Sequence, residues 1–135
     1  MSLIRTWRRT LIEGERTALA LEVRAIDPVW RLPELWRHEY LNILATYGRS
    51  GRLSQAQMQQ LWSQGNRLLA SCVSPVDLSL ALQIAVEKSR ISAYDAQFLA
   101  LARRLGVICV TEDQVLRRKF AGVAVSMVEF CGRGR

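Results

Sequence analysis

A chain of 135 residues that is 50% hydrophobic is long enough for one domain with a real core, and a formal charge of +7 invites an anionic partner. No apolar run approaches the roughly 20 residues of a membrane span, and the Arg-rich start lacks a signal-peptide core, so a soluble, cytoplasmic protein is expected. Cys72, Cys109 and Cys131 stand far apart without CxxC spacing, which speaks against a zinc site and predicts reduced thiols, with Cys109 in the core.

In chain order, the opening MSLIRTWRRTLIEGERT is the least regular part. Arg5, Trp7, Arg8 and Arg9 make a poor buried strand, and no Asp or Glu precedes Glu13. A helix is expected from near Pro33. It places Glu39, Asn42 and Thr46 on one polar face and gives Trp36, Tyr40, Ile43, Leu44 and Tyr47 to an apolar one. His38 is the neighbour of Glu39, but adjacent helical residues point about 100° apart, so the two do not converge on one ion. His38 is expected on the surface or in a helix contact.

Two further helices follow, Ser54 to Leu69 with a cap at Ser54, and Val76 to Lys88, with a short strand near Cys72 and Val73 between them. Their apolar faces belong mostly to the core, and some of Leu61, Trp62, Leu68 and Leu69 are candidates for packing a partner helix or a second subunit.

The segment from Ile91 to Leu116 carries the most chemistry. Ser92 is a natural N-cap, and Tyr94, Phe98, Leu101 and Leu105 share a helical face that Gly106 ends. Asp95 falls in the first turn. Val107 to Val110 then read as a strand buried on both faces of a parallel sheet, and a helix restarts after Thr111. Asp113 therefore lies just past the carboxyl end of a strand, the edge where open α/β sheets place their ligands. Two explanations of these acids stand side by side. Ser92-x-x-Asp95 has the form of a capping box, and Glu112 and Asp113 suit the positive end of a helix dipole; alternatively, the carboxylates form a metal site.

SAYDAQFLALARRLGVICVTED resembles the signature of the PIN-domain family, which includes VapC-type toxin ribonucleases. Upstream, RLPELWRHEYLNILATYGRSGRLS is similar to the family segment that carries a helical Glu with Asn three positions later, here Glu39 and Asn42. Downstream, LRRKFAGVAVSMVEF resembles its last basic helix, a short strand Val123 to Val125 and the turn into a closing helix. The likeness spans roughly Leu11 to Phe130. It implies an α/β three-layer fold, a parallel central sheet with helices on both faces and the acids along its carboxyl edge, over the single domain 1–135.

The resemblance also implies a function. Glu39, Asp95 and Asp113 would be the catalytic and metal-binding residues, holding Mg²⁺ or Mn²⁺ for cleavage of RNA, because hard carboxylate oxygens suit those ions and a bound metal activates water. Toxins of this family form homodimers and are held inactive by an antitoxin protein. Arg103, Arg104, Arg117, Arg118 and Lys119, with Arg133 and Arg135 of the tail, would flank the RNA path, or else serve only as solvated surface.

The start departs from the family, whose first strand ends in Asp followed by Ser or Thr and then Asn. Residues 1–12 are therefore anomalous. The genetic code suggests an explanation: in a shifted frame, the overlapping codons of Leu3 to Leu11 can spell Asp, Ser or Thr, Asn, Val or Leu, Ala, Ala, Tyr, Leu. Without the leading Asp, weak or absent nuclease activity is expected, with a noncatalytic nucleic-acid or protein-binding module as the alternative. A disordered tail is expected over 131–135.

Overall fold

The structure is a computed structural model that describes residues 1–7, 17–87 and 91–133. Strand β1, Ser2–Ile4, forms at the start of the chain and is buried along its whole length. This overturns the expectation that the opening makes a poor strand. The physical reason is brevity: the strand needs only Ser2, Leu3 and Ile4 inside, and Arg5 comes immediately after it, at the sheet edge. Ser2 is buried but its hydroxyl donates to Asp27, so no polar group is stranded.

Helix α1, Thr17–Ile26, leads to strand β2, Trp30–Arg31, and helices α2, Leu35–Arg49, α3, Gln55–Leu69, α4, Leu78–Glu87, and α5, Ala93–Leu105, follow. Strand β3, Cys109–Val110, helix α6, Gln114–Lys119, strand β4, Ala124–Val125, and helix α7, Met127–Arg133, complete the described chain. The four strands pair in the order β2-β1-β3-β4, all parallel. Cys131 to Arg133 thus belong to a helix rather than to the expected tail, while residues 134 and 135 lie outside the described residues. Lys88, Arg8 and Arg9 also lie outside them.

The sheet is short-stranded, and the expected strand Val107 to Val110 contracts to two residues because only Cys109 and Val110 pair with β1 and β4. Near Cys72 a 3₁₀ turn covers Ala70–Cys72, and only Val73 pairs, as a single parallel bridge to Leu32. β1 and β3 sit at the centre with both faces covered, as parallel strands require. Around the sheet, α4 packs on α5, α2 on α3 and α1 on α7.

Helix boundaries follow their local chemistry. Ser54 and Gln57 form a reciprocal capping box at α3, and Gly106 ends α5 at φ 66°, a left-handed conformation that glycine adopts without a Cβ penalty. In α2 the buried positions are Trp36, Tyr40 and Leu44, four residues apart. Trp36 and Tyr40 join Trp7 and Trp62 in one aromatic cluster, with ring centroids 5.7 Å apart for Trp7 and Trp36, 5.6 Å for Trp7 and Tyr40 and 6.0 Å for Tyr40 and Trp62. Tyr40 donates its hydroxyl to the Leu61 carbonyl at 2.5 Å, and burial pushes its pKa up to about 12.

This cluster absorbs much of the surface expected to face a partner, since Trp62 stacks on Tyr40 and Leu69 is fully buried in the chain's own core. The exposed apolar row lies instead on α4, where Leu78, Leu82 and Val86 are 64, 63 and 78% exposed. Cys109 is buried, and the surrounding apolar atoms push its thiol up to about 12, so it remains a thiol of the core. No described helix is long and apolar enough to cross a membrane.

Candidate active site

At the carboxyl edge, register fixes which side chains meet. Leu3 pairs with Cys109 and Ile4 with Val110, and the Arg5 amide donates to the Val110 carbonyl at 2.9 Å. Arg5 therefore occupies on β1 the position that Thr111 occupies on β3. From there its guanidinium meets acids from two helices.

Glu39 reaches the edge from α2. It follows the buried Trp36 by three positions and precedes Tyr40 by one, so it lies beside the apolar stripe and is half-buried. Asp95 comes from the first turn of α5, where its amide donates to the Ser92 hydroxyl at 3.0 Å. The helix is capped, but the Asp95 carboxylate turns elsewhere.

Both carboxylates converge on Arg5. Its Nη1 donates to both Glu39 oxygens, at 2.6 and 2.7 Å, and its Nη2 donates to Asp95 Oδ1 at 3.0 Å. The guanidinium carbon also lies 4.2 Å from the centre of the Phe98 ring, one turn beyond Asp95 on the same helix. Side-chain exposure is 22% for Arg5 and 26% for each acid, so these pairs are shielded but not dry. Burial works against the charged guanidinium, and the hydrogen bonds and attraction of Glu39 and Asp95 outweigh it, raising the Arg5 pKa further above its ordinary value.

Asp113 is placed differently. It is the N-cap of α6, its Oδ1 accepting the Leu116 amide at 3.0 Å, while its own amide donates to the Thr111 hydroxyl at 3.1 Å. Glu112 serves the neighbouring helix by accepting the Met127 amide at 2.9 Å. Two cavities meet at the edge. One, of about 330 Å³, is lined by Asp113, Thr111 and Trp7 together with Arg5 and Glu39. The other, of about 490 Å³, is lined by Asp95, Tyr94, His38 and Asn42, again with Arg5 and Glu39. The Arg5–Glu39 pair belongs to both, so Asp95 and Asp113 open onto different sides of it.

The structure therefore brings Glu39 and Asp95 together on one cation and leaves Asp113 in the adjoining cavity. Arg5 is the residue that sequence reasoning missed. Its signal was positional: Leu3-Ile4-Arg5-Thr6 has the form of Cys109-Val110-Thr111, two apolar residues and then the edge. His38 is exposed, as expected, and Asn42 lies on the exposed side of α2. Tyr94 and Leu105 are exposed rather than buried, because the buried face of α5 is formed by Phe98, Leu101 and their neighbours Ala96, Leu99, Ala100 and Ala102.

Four of the basic residues expected along an RNA path do not flank this edge. Arg103 and Arg104 close α5 just before β3 begins, and Arg118 and Lys119 close α6 before β4 begins, which puts them at the opposite, amino edge of the sheet. There they complement the negative helix ends. Arg117 approaches Glu129 at 3.6 Å.

An all-parallel sheet with acids at its carboxyl edge defines the class of open α/β folds, which place their ligands at that edge. Within that class the assignment is specific: a PIN-domain family profile matches residues 9–120, and the chain belongs to that family. The matched span begins after Arg5. Among solved structures, PAE2754 from Pyrobaculum aerophilum is similar over 98% of this chain and 95% of that one, with 22% identity and a TM-score of 0.69, which supports the fold. No curated protein matches.

PIN domains generally use divalent metals. Among the described residues no group of three or more His, Cys, Asp or Glu is arranged to hold a metal ion. Both Glu39 oxygens and one Asp95 oxygen accept from Arg5, and one Asp113 oxygen accepts a backbone amide. A divalent ion between Glu39 and Asp95 would face a guanidinium at close range. The residues as they stand do not fit the metal.

Proposed function

We propose that this chain is an RNA-binding member of the PIN family, related to the toxin ribonucleases of toxin–antitoxin pairs, in which phosphodiester cleavage is weak or absent. The observation that carries this reading is the engagement of Glu39 and Asp95 by Arg5 at the edge where the fold gathers its acids. The guanidinium takes up lone pairs on both Glu39 oxygens and on one Asp95 oxygen, and its positive charge opposes a metal ion beside them. What supports RNA as the ligand is the family, together with the groove beside Asp95, in which exposed Tyr94 offers a face for base stacking and His38 and Asn42 offer polar contacts.

The experiment is a single-stranded RNA panel incubated with the purified chain in EDTA, Mg²⁺ or Mn²⁺, with binding and cleavage followed separately. Binding indifferent to the metal, with intact RNA, is expected, and Tyr94→Ala should weaken it several-fold. Robust Mn²⁺-dependent cleavage abolished by Asp95→Asn would overturn the reading.

A second reading, protein binding without RNA, is favoured by the exposed row Leu78, Leu82 and Val86 on α4. A homodimer and an antitoxin segment lying in the groove are the partners that family resemblance suggests for it. Failure to bind any RNA, combined with self-association that Leu82→Glu abolishes, would favour this second reading.

A further inference from the structure

We infer that Arg5 is a built-in cation that takes the place of a divalent metal in this fold, so that the site is held together by the chain itself and does not take up Mg²⁺ or Mn²⁺. The inference rests on Glu39 and Asp95 being the site acids of the proposed reading, and it goes beyond that reading by naming what replaces the ion.

Three features make Arg5 a constructed contact rather than a surface ion pair. Its backbone is fixed by the central sheet through the Val110 carbonyl. Its guanidinium makes three hydrogen bonds to two acids that come from separate helices. Phe98, itself buried, backs the guanidinium plane. Planar, forked donors suit carboxylates in a way that a lysine ammonium does not.

Charge makes the replacement complete. A carboxylate at the end of β1 together with a divalent ion would carry a net single positive charge, which is also the charge of one guanidinium. Glu39 and Asp95 therefore see the same net compensation in either arrangement. The ion-bound arrangement can be emptied by a chelator, whereas the Arg5 arrangement cannot.

The test is thermal unfolding of the full chain in EDTA and in millimolar Mn²⁺, with Mn²⁺ binding followed by calorimetry and no RNA present. The wild-type chain should melt at the same temperature in both and bind no Mn²⁺. Arg5→Asp should melt lower in EDTA and gain about 5 °C or more in Mn²⁺, because a ligand that binds only the folded state stabilises it. Adding Asp95→Asn to that variant should remove most of the gain.

Arg5→Gln, which removes the charge while keeping a polar side chain, is the companion if Arg5→Asp does not fold; it should show a smaller Mn²⁺-dependent rise. Mn²⁺ binding by the wild-type chain that Asp95→Asn abolishes would overturn the inference. So would Arg5 variants that fold but ignore Mn²⁺. Neither result depends on whether the chain binds RNA, so failure of this inference and failure of the proposed function are told apart.

Discussion

Arg5 grips Glu39 through a single guanidinium nitrogen placed 2.6 and 2.7 Å from the two carboxylate oxygens, and the partners are separated by 34 positions in the chain. The contact joins the central strand to α2, and the second nitrogen extends it to α5. Removing the charge leaves two half-buried acids facing each other. Arg5→Gln is expected to cost about 2–3 kcal/mol in urea unfolding at neutral pH. The double variant Arg5→Gln with Glu39→Gln should cost less than the two single changes added together, by about 1 kcal/mol, because the second change removes the stranded charge.

Asp113 and Asp95 should respond differently to the same substitution. Asp113 caps α6 through the Leu116 amide, a bond that Asn can also make. Asp113→Asn is expected to change stability by only a few tenths of a kcal/mol, and Asp113→Ala to cost about 1 kcal/mol. Asp95→Asn loses its charge against Arg5 and should cost about 1 kcal/mol despite the intact Ser92 cap. Chemical unfolding of the three variants checks the contrast.

Asp27 sets an acid limb of stability. Burial favours the neutral form, but hydrogen bonds from the Ser2 hydroxyl and the Val29 amide, together with the amino group of Met1 at 3.2 Å, outweigh it and hold the carboxyl below the ordinary 3.8. A carboxyl lowered in the folded chain contributes stability that is whole above the unfolded value and fades as pH falls through the folded one. The window therefore lies below about pH 4. Asp27→Asn should lower stability at neutral pH and flatten its decline between about pH 4 and pH 2, as followed by urea midpoints across that range.

Gly106 closes α5 at φ 66° with open space where a Cβ would stand. Gly106→Ala should therefore cost only the backbone strain, about 1 kcal/mol, without disturbing the packing of β3. A lowered urea midpoint with an unchanged near-ultraviolet spectrum is the expected result.

Much of the fold was legible because its signals are local. Ser54, Ser92 and Gly106 punctuate helices α3 and α5 where capping chemistry places them, and the α/β alternation with its carboxyl edge followed from the run before Thr111. Glu39, Asp95 and Asp113 were expected along one carboxyl edge, and all three line the cavities there. Their grouping was not legible, because Asp113 turns to the Leu116 amide while Glu39 and Asp95 turn to Arg5, and neither choice is written in spacing.

The first strand was missed because three residues carry no periodicity, and Arg5, Trp7, Arg8 and Arg9 dominate the local composition. The chain as written supplies that strand, so no altered reading frame is needed to complete the sheet. The frame explanation stays a statement about DNA. Codons for Leu3 to Leu11 that are incompatible with the shifted peptide would end it.

The cluster of Trp7, Trp36, Tyr40 and Trp62 gives this chain an optical reporter of its own. Trp7 stands two residues from Arg5, and its ring meets Trp36 and Tyr40 edge-on at under 6 Å, close enough for coupled electronic transitions. Any event that pulls the first strand from the sheet must separate these chromophores. Near-ultraviolet circular dichroism and tryptophan emission should therefore follow the seating of the N-terminal segment directly, with no label attached.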